Sequence, residues 1–274
     1  MAGPPQPPPE VSAYYDAFAE EDRLASGPSQ LEFERTREIL ARVLPPPPAA
    51  IVDVGGAAGA YALWLAAQGY EVHLVDASPR LVDAARRRSA AHSRPIASLT
   101  VADARALPQA DGSAAAVLVL GPLYHLPEAA DRLAALREAR RIVAPGGVVA
   151  VAAISRYASA LVGIVQKLSL DPRFVEMRNR ALATGVHRND SGRIDYFTTA
   201  YFHRPEDLRA ELDATGFENV QVLGVEGPGE WVANFEARWA DEALRADLLD
   251  VARRLEAEPS IIGMSAHLLG LGWR

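Results

Sequence analysis

The sequence contains no cysteine, and this absence excludes several kinds of chemistry at once. Without thiols the 274-residue chain has no disulfides, no thiolate metal sites and no cysteine nucleophile. The six histidines are scattered and show none of the short spacings of a metal motif, so we predict no metal. The alternative is a divalent ion held by a histidine and carboxylates from distant parts of the chain.

Basic residues are also few. Lys and Arg together number 28 against 35 Asp and Glu, a net charge of −7, whereas nucleic-acid partners usually require a basic surface. No apolar run approaches the length of a membrane span, and the first ten residues are rich in proline without the apolar core of a signal peptide. We therefore expect a cytoplasmic protein with no nucleic-acid or membrane partner.

The remaining pattern is an alternation of strands and helices, which is typical of an α/β fold with a parallel sheet and right-handed crossovers. The predicted strands cover residues 51–54, 71–76, 99–102, 115–120, 148–154, 219–225 and 265–272. The predicted helices cover residues 11–24, 29–43, 60–68, 79–92, 127–143, 205–215 and 244–258. Between the predicted helix at 127–143 and the strand at 148–154, we expect Gly147 to take the positive φ of a turn.

The segment Ile51–Gly59 carries the most information. A β-branched strand runs into a turn of glycines and alanines, and a helix follows; such a turn lets backbone approach a ligand and offers free N–H groups. Asp53 lies within this strand, while Asp76 and Asp103 end the next two strands. Acids at the carboxyl ends of neighbouring parallel strands line the crevice where open α/β sheets bind ligands.

Two nucleotide-like ligands fit such a crevice. A dinucleotide fingerprint starting at Gly55 needs glycine at the positions of Ala57 and Ala60. Asp53 would also repel a pyrophosphate, whereas it would attract the sulfonium and ammonium groups of S-adenosylmethionine (SAM). A nicotinamide enzyme is therefore the weaker alternative, and Ala57 is tolerable if its φ is negative.

The run Asp53, Gly55, Ala57 and Gly59 resembles the Asp/Glu-x-Gly-x-Gly-x-Gly motif of the class I SAM-dependent methyltransferases, with Ala57 in place of one glycine. The resemblance is strong over residues 35–155 and looser over 205–272. It implies an α/β, Rossmann-like sheet of seven mostly parallel strands in the order 3-2-1-4-5-7-6, with helices on both faces. The last two strands would form an antiparallel pair.

We expect the chain to consist of five parts. Residues 1–10 are expected to form a disordered proline-rich tail and 11–48 an N-terminal helical lid. Residues 49–154 would form the SAM-binding core, 155–204 a helical insert covering the substrate, and 205–274 the C-terminal part of the sheet.

The resemblance also implies SAM as cofactor, S-adenosylhomocysteine as product, and a role for each acid. Asp76 would accept hydrogen bonds from both ribose hydroxyls, Asp103 would meet the adenine amine, and Asp53 would lie near the methionine end. We also expect Arg35 to pair with the methionine carboxylate, the alternative being a solvated helix pair with Glu32 or Glu38. The full set of predicted cofactor residues is Tyr15, Arg35, Asp53, Gly55, Gly56, Ala57, Gly59, Asp76, Ala77, Asp103, Ala104 and Gly121.

A candidate catalytic residue follows the fourth strand. The loop at 121–127 resembles the Leu-His-His-Met-Pro-Asp loop of small-molecule methyltransferases of the ubiquinone/menaquinone and natural-product type. His125 matches the second histidine of that loop, and Tyr124 replaces the first. We expect His125 to act as general base, since an imidazole of near-neutral pKa suits that task. The alternative is that it only orients the loop or contacts substrate.

Aromatic residues make up only 7% of the chain, yet several fall within residues 155–204. Such side chains favour flat or amphipathic small molecules, although core packing would explain them equally. The predicted acceptor residues are Tyr14, Phe18, Tyr124, His125, Arg156, Tyr157, His187, Tyr196 and Phe197.

We therefore expect O-methylation of a small, partly aromatic or amphipathic metabolite of secondary metabolism, by a monomer or homodimer. The alternatives are a methyltransferase acting on RNA or protein, and a SAM-binding module without catalysis.

Overall fold

The structure is a computed structural model that describes residues 8–17 and 20–274. Phe18 and the first seven residues of the expected tail lie outside the described residues. Within the described ranges, no helix is both long and apolar enough to cross a membrane.

A twisted sheet forms the centre of the molecule. Its strands are β1 (Ala50–Val54), β2 (Glu71–Asp76), β3 (Ser98–Val101), β4 (Ala114–Val119), β5 (Val143–Ser155), β6 (Val186–His187), β7 (Ala200–His203), β8 (Glu218–Gly224) and β9 (His267–Trp273). The order β3-β2-β1-β4-β5 is parallel throughout. Strand β9 then pairs antiparallel with both β5 and β8. These seven strands have the predicted order, because the insert contributes only the short β6 and β7.

Helices cover both faces of the sheet. They are α1 (Pro9–Ala17), α2 (Ser29–Val43), α3 (Ala60–Gln68), α4 (Pro79–Ala90), α5 (Ala129–Ile142), α6 (Ala158–Val165), α7 (Pro172–Thr184), α8 (Pro205–Ala214), α9 (Phe235–Ala240) and α10 (Glu242–Leu255). Successive strand residues point to opposite faces, so each face builds its own core. Val52 packs with α5 and α8 residues on one face, and Ile51 packs with residues of α2, α3 and α4 on the other.

The sequence had indicated a purely helical insert, but in the structure the insert also contains strands. Ile154 of β5 pairs with His267 on one edge and with Phe202 of β7 on the other. Strand β4 ends at Val119, opposite Val151, so β5 extends beyond it and leaves an open edge. Strand β7 covers this edge, since unpaired N–H and C=O groups there would otherwise lack partners. It thereby comes to lie beyond the carboxyl end of β4.

Two boundaries also differ from the predictions. Helix α1 begins at Pro9, so the last two residues of the expected tail are helical. The same helix was predicted to continue to residue 24, but α1 ends at Ala17 and a 3-10 helix covers Glu20–Ala25. Gly146, not Gly147, has the positive φ of 77°. Gly147 is needed for close packing instead, because a Cβ there would lie 2.7 Å from the carbonyl oxygen of Ala115.

Candidate active site

A cavity of about 240 Å³ opens at the carboxyl ends of β1, β2 and β4, beneath α1. The residues that line it come from the turn after β1, from the ends of β2 and β3, from the loop after β4 and from the N-terminal cover. Among the predicted residues, its walls include Tyr15, Asp53, Gly55, Gly56, Ala57, Asp76, Ala77, Asp103, Ala104, Gly121, Tyr124 and His125. The chain order of strands therefore brings most of the predicted cofactor residues and the predicted base into one space, the exceptions being Arg35 and Gly59.

The turn after β1 is built for close approach. Gly55 has φ of 74°, and a Cβ there would lie 2.3 Å from the Pro122 ring in the loop after β4. A Cβ on Gly56 would lie 2.8 Å from Oδ2 of Asp53. Glycine is required at both positions, and the turn after β1 packs directly on the loop that carries the predicted base.

Ala57 differs from the expectation of a negative φ. Its φ is 46°, in the left-handed region that favours glycine. In this conformation its N–H donates to Oδ2 of Asp76 at 2.9 Å. The hydrogen bond to a carboxylate stabilises a backbone conformation that an alanine otherwise adopts at a cost of about 1–2 kcal/mol.

Asp53 is fully buried, and neither of its carboxylate oxygens has a hydrogen-bond partner. Burial and the nearby charge of Asp76 raise its pKa to about 7, and the amide of Ala62 opposes this shift. A buried carboxylate without partners is unfavourable on its own. Since Asp53 faces the cavity, a cationic ligand would supply the missing partner.

Asp76 is already positioned by backbone. Its Oδ2 accepts the N–H of Ala57, and its Oδ1 accepts the N–H of Ser78 at 2.8 Å. These two hydrogen bonds from backbone hold the carboxylate in the wall of the cavity.

Asp103 has a partner that the sequence analysis did not identify. Arg105 reaches back to it, with Nε 2.8 Å from Oδ1 and the terminal nitrogen 2.9 Å from Oδ2. Hydrogen bonds to Asp103 raise the pKa of Arg105. The Asp-x-Arg spacing was the available signal. Oδ1 also accepts the backbone N–H of Arg105 at 2.9 Å, so the fork orients the carboxylate and leaves further acceptor capacity for an amine on Oδ2.

His125 lies at the end of a short 3-10 helix, Leu123–His125, and is 7% exposed. Its Nε2 is 2.7 Å from the hydroxyl of Tyr15 in α1, and its Nδ1 is 3.3 Å from the carbonyl oxygen of Thr199. A carbonyl only accepts, so Nδ1 carries the proton and Nε2 accepts from Tyr15. Burial lowers the pKa of His125 to about 4, with the Thr199 carbonyl opposing the shift. The imidazole is thus neutral at pH 7, and its pKa is lower than the near-neutral value we expected.

Two other predicted acceptor residues surround this histidine. The ring centroid of Phe197 is 5.7 Å from His125 and 5.4 Å from Tyr14. Tyr14 in turn packs edge-on against Tyr15, 5.4 Å away. An aromatic wall thus backs the imidazole, although neither Tyr14 nor Phe197 lines the cavity itself.

Arg35 is not a cofactor residue in this structure. Its guanidinium is fully buried and pairs with Glu38 and with Glu256 at the end of α10. The alternative pair with Glu38 is therefore formed, but the guanidinium is buried and not solvated as that alternative assumed. The position of Arg35 on the α10 side of α2 directs its charge away from the cavity.

Four predicted acceptor residues in the insert also have structural partners. Arg156 donates to the carbonyl of Phe202 at 2.6 Å and pairs with Asp207 at 2.9 Å. The ring of Tyr157 is 41% exposed and packs on Gly263. Neither residue lines the cavity, because the end of β5 turns both toward β7 and the C-terminal segment.

The other two predicted acceptor residues of the insert are Tyr196 and His187. The Tyr196 hydroxyl donates to Asp171 at 2.9 Å, and its carbonyl is 2.8 Å from Nε2 of His187. His187 stacks on Phe202, with 4.9 Å between ring centroids, and burial lowers its pKa to about 4. Both side chains pack within the insert. Gly59, predicted to touch the cofactor, instead begins α3 with φ of 85° and does not line the cavity.

A second polar cluster connects the N-terminal cover to the sheet. Glu32 pairs with Arg23 at 2.6 Å, and His267 of β9 lies 2.5 Å from Glu226. Burial opposes protonation of His267, but the two carboxylates outweigh it and raise its pKa to about 9. Ligand atoms of Glu32, Glu226 and His267 lie within 4.8 Å of one another, as in a metal site. Arg23 and the protonated imidazole already balance both carboxylates, so the cluster acts as an ionic tie.

Comparison with known proteins agrees with this geometry. Residues 51–147 match the family model of the methyltransferase domain. The search of curated proteins found no match. Among solved structures, the chain is similar to the putative methyltransferase of Haloferax volcanii solved with the Trm112 methyltransferase activator, at 17% identity, TM-score 0.59 and 96% coverage of both chains.

Two further structures have the same fold. The CcbJ methyltransferase of Streptomyces caelestis has 17% identity, TM-score 0.56 and 96% coverage of both chains. A SAM-dependent methyltransferase of Thermotoga maritima, described as a possible histamine N-methyltransferase, has 19% identity and TM-score 0.54, covering 89% of this chain and 88% of that one. The matched residues include Asp53, Asp76 and Asp103 of the cavity, so the part of the chain that is similar to a methyltransferase domain is the part that forms this site.

Proposed function

We propose that this methyltransferase transfers the methyl group of SAM to a hydroxyl group of a small, aromatic or amphipathic metabolite, with His125 as general base. The observation that carries the proposal is the contact between the Tyr15 hydroxyl and Nε2 of His125, inside the cavity that Asp53 and Asp76 also line. A proton acceptor and the cofactor carboxylates thus face one enclosed space.

The cofactor residues suit the separate parts of SAM. Asp53 would accept the ammonium group, which supplies the partner that its buried carboxylate lacks. Asp76, which the N–H groups of Ala57 and Ser78 orient, would accept the ribose hydroxyls, and Asp103 would accept the adenine amine. Bound SAM supplies a methyl group that its sulfonium charge has already activated for transfer.

The size of the acceptor follows from the cover. Val11, Ser12 and Tyr15 of α1 and Leu24 of the following 3-10 helix close the cavity on the side of His125. Helix α1 is held there by the Tyr15 contact and by a hydrogen bond from the Thr198 hydroxyl to the Glu10 carbonyl at 3.1 Å. A largely apolar space beneath a helical cover favours a small molecule over the broad surface of a macromolecule.

His125 is prepared to accept a proton. The Thr199 carbonyl fixes the proton on Nδ1, so the lone pair of Nε2 points to the Tyr15 hydroxyl. An acceptor hydroxyl that displaces Tyr15, or donates to its oxygen, would lose its proton to Nε2 directly or through Tyr15. The oxygen–carbon bond forms as the carbon–sulfur bond breaks, and the acceptor proton ends on His125. Placement and exclusion of water account for most of the catalysis.

A second candidate is methylation of an amine. The pKa of about 4 makes His125 a weak base, which is a greater handicap for a hydroxyl than for an amine that attacks as the neutral species. A structure with the same fold is itself described as a possible histamine N-methyltransferase.

The proposal is tested by incubating the protein with SAM and a panel of small phenols, aliphatic alcohols and amines, and by measuring S-adenosylhomocysteine. We expect release with at least one phenol, and a decrease of roughly tenfold or more in Tyr15→Phe, which lacks the hydroxyl beside His125. His92→Asn, at the exposed end of α4, serves as the control and should leave turnover unchanged. Release with amines alone would replace the first candidate by the second, and release with RNA or protein alone would refute both.

A further inference from the structure

The carbonyl groups that directly follow His125 are held by one buried guanidinium. Arg132 lies in the first turn of α5 and is 3% exposed. One of its terminal nitrogens donates to the carbonyl of Leu126 at 3.0 Å and to that of Pro127 at 2.7 Å. Because these two residues come directly after His125, Arg132 fixes the backbone on one side of the imidazole.

Arg132 is itself held from two directions. Its Nε and its other terminal nitrogen lie 2.8 and 2.7 Å from Oε1 of Glu211 in α8. The ring of Tyr201 in β7 lies 3.6 Å from the guanidinium carbon. A planar cation that is stacked on a ring and paired through two nitrogens has little rotational freedom.

Strand β7 and the residue before it therefore act on both sides of His125. Thr199 accepts the hydrogen bond from Nδ1, and Tyr201, two residues further along, stacks on Arg132. The imidazole ring and the backbone that follows it are thus both held by contacts with the same short strand. Glu211 connects Arg132 to α8 as well. Strand β7 thus supports the loop that follows β4.

We propose that Arg132 is a positioning residue for methyl transfer, whose guanidinium sets the position of His125 at the acceptor side of the cavity. Arg132 does not line the cavity, so it acts through His125, and the inference rests on the proposed function of that histidine. A lysine cannot replace it, because one ammonium nitrogen cannot occupy the positions of three guanidinium nitrogens and has no planar face to stack on Tyr201.

The same helix offers a matched control. Arg141 of α5 also donates to two loop carbonyls, those of Gln109 and Leu107, each within 2.9 Å, and it also pairs with a glutamate, Glu138. Its loop precedes β4, at the edge of the sheet opposite the cavity. Arg141 also pairs with Asp111 at 2.8 Å, so Arg141→Lys disturbs two carbonyl contacts and two carboxylate pairs without touching the His125 loop.

The test is an NMR titration of the histidine imidazoles in the full-length protein without ligands, with His125 assigned by its loss in His125→Asn. In the wild type we expect His125 to stay neutral down to about pH 4. In Arg132→Lys the loosened loop admits water, so its midpoint should rise by roughly one pH unit or more. In Arg141→Lys the titration midpoint of His125 should not change. The affinity for SAM, measured by calorimetry, should be unchanged in both variants.

An unmoved His125 in Arg132→Lys, or an equal shift in both variants, would overturn the inference. If Arg132→Lys does not fold, Glu211→Gln, which frees the guanidinium from its carboxylate, is judged by the same outcomes. If His125→Asn loses turnover but the titration midpoint of His125 is unchanged in Arg132→Lys, only the positioning role of Arg132 is refuted. If His125→Asn keeps its turnover and the midpoint shifts in Arg132→Lys, only the role of His125 as base is refuted.

Discussion

The cavity has two sides that are constructed differently. On the cofactor side, Asp53 and Asp76 project from parallel strands. The hydrogen bond from Ala57 in the turn to Asp76 joins residues that are only 19 apart in the sequence. On the acceptor side, Tyr15 and His125 are 110 residues apart, and His125 and Thr199 are 74 apart. The order of strands is sufficient to form the first side. The second requires the cover and the insert to dock, so acceptor specificity depends on long-range packing.

The substitution His125→Asn should produce the largest effect and should separate the two sides. It removes the proton acceptor while leaving the strand-end carboxylates intact, so turnover should fall by about 10²–10⁴-fold and SAM affinity should change little. Steady-state rates and calorimetry on the same samples measure both quantities. Turnover that survives unchanged would assign His125 to substrate contact only.

The substitution Asp76→Ala tests the cofactor side in the opposite way. It removes the predicted ribose acceptor and leaves the N–H groups of Ala57 and Ser78 without a partner. SAM affinity should fall by roughly 10²-fold, equivalent to about 3 kcal/mol. Asp83→Ala, an exposed acid of α4 that pairs with Arg86, is the control and should bind SAM normally. Equal affinities in the two variants would contradict the assignment of Asp76.

The pH dependence of SAM binding isolates Asp53. Its pKa in the ligand-free protein is raised to about 7, and the ionised form is the one that attracts an ammonium. Below pH 7, binding must displace a proton, so the dissociation constant should fall by up to about tenfold per pH unit as the pH rises to 7, and then level off. Calorimetry between pH 5.5 and 8.5 measures the slope. A flat profile over this range would contradict the role of Asp53.

The smallest predicted effect concerns Ala57. Glycine at this position relieves the left-handed conformation, but it also increases the entropy of the unfolded chain, so Ala57→Gly should stabilise the protein by about 1 kcal/mol or less. We expect thermal unfolding to show a midpoint higher by roughly 2 °C, with SAM affinity unchanged. A lower midpoint would indicate that the alanine methyl group contributes packing.

The sequence predicted most of the cofactor side because its signals are local. A strand, a small-residue turn and an acid recur in order, and the parallel sheet brings the acids to one edge, so the places of Asp53 and Asp76 followed from the residues, whereas the seven-strand order came from the family resemblance. The positive φ of Ala57 did not follow, since it depends on a hydrogen bond to Asp76.

The acceptor side was less accessible to sequence reasoning. His125 and Tyr15 were both identified, but not their contact, because nothing in the local sequence relates α1 to the loop after β4. Arg35 and Arg156 were selected for their charge, and both prove to be neutralised by acids distant in sequence, Glu256 and Asp207. Charge alone does not separate a ligand-binding arginine from a structural one.

The most direct test of the account is calorimetric titration of SAM at pH 8 into the wild-type protein and into Asp53→Asn. We predict saturable binding of one SAM per chain in the wild type and a loss of affinity of at least roughly tenfold in the variant, since the amide cannot balance the ammonium charge. Absence of binding in the wild type, or equal affinity in the two proteins, would contradict the claim that these strand-end carboxylates bind SAM.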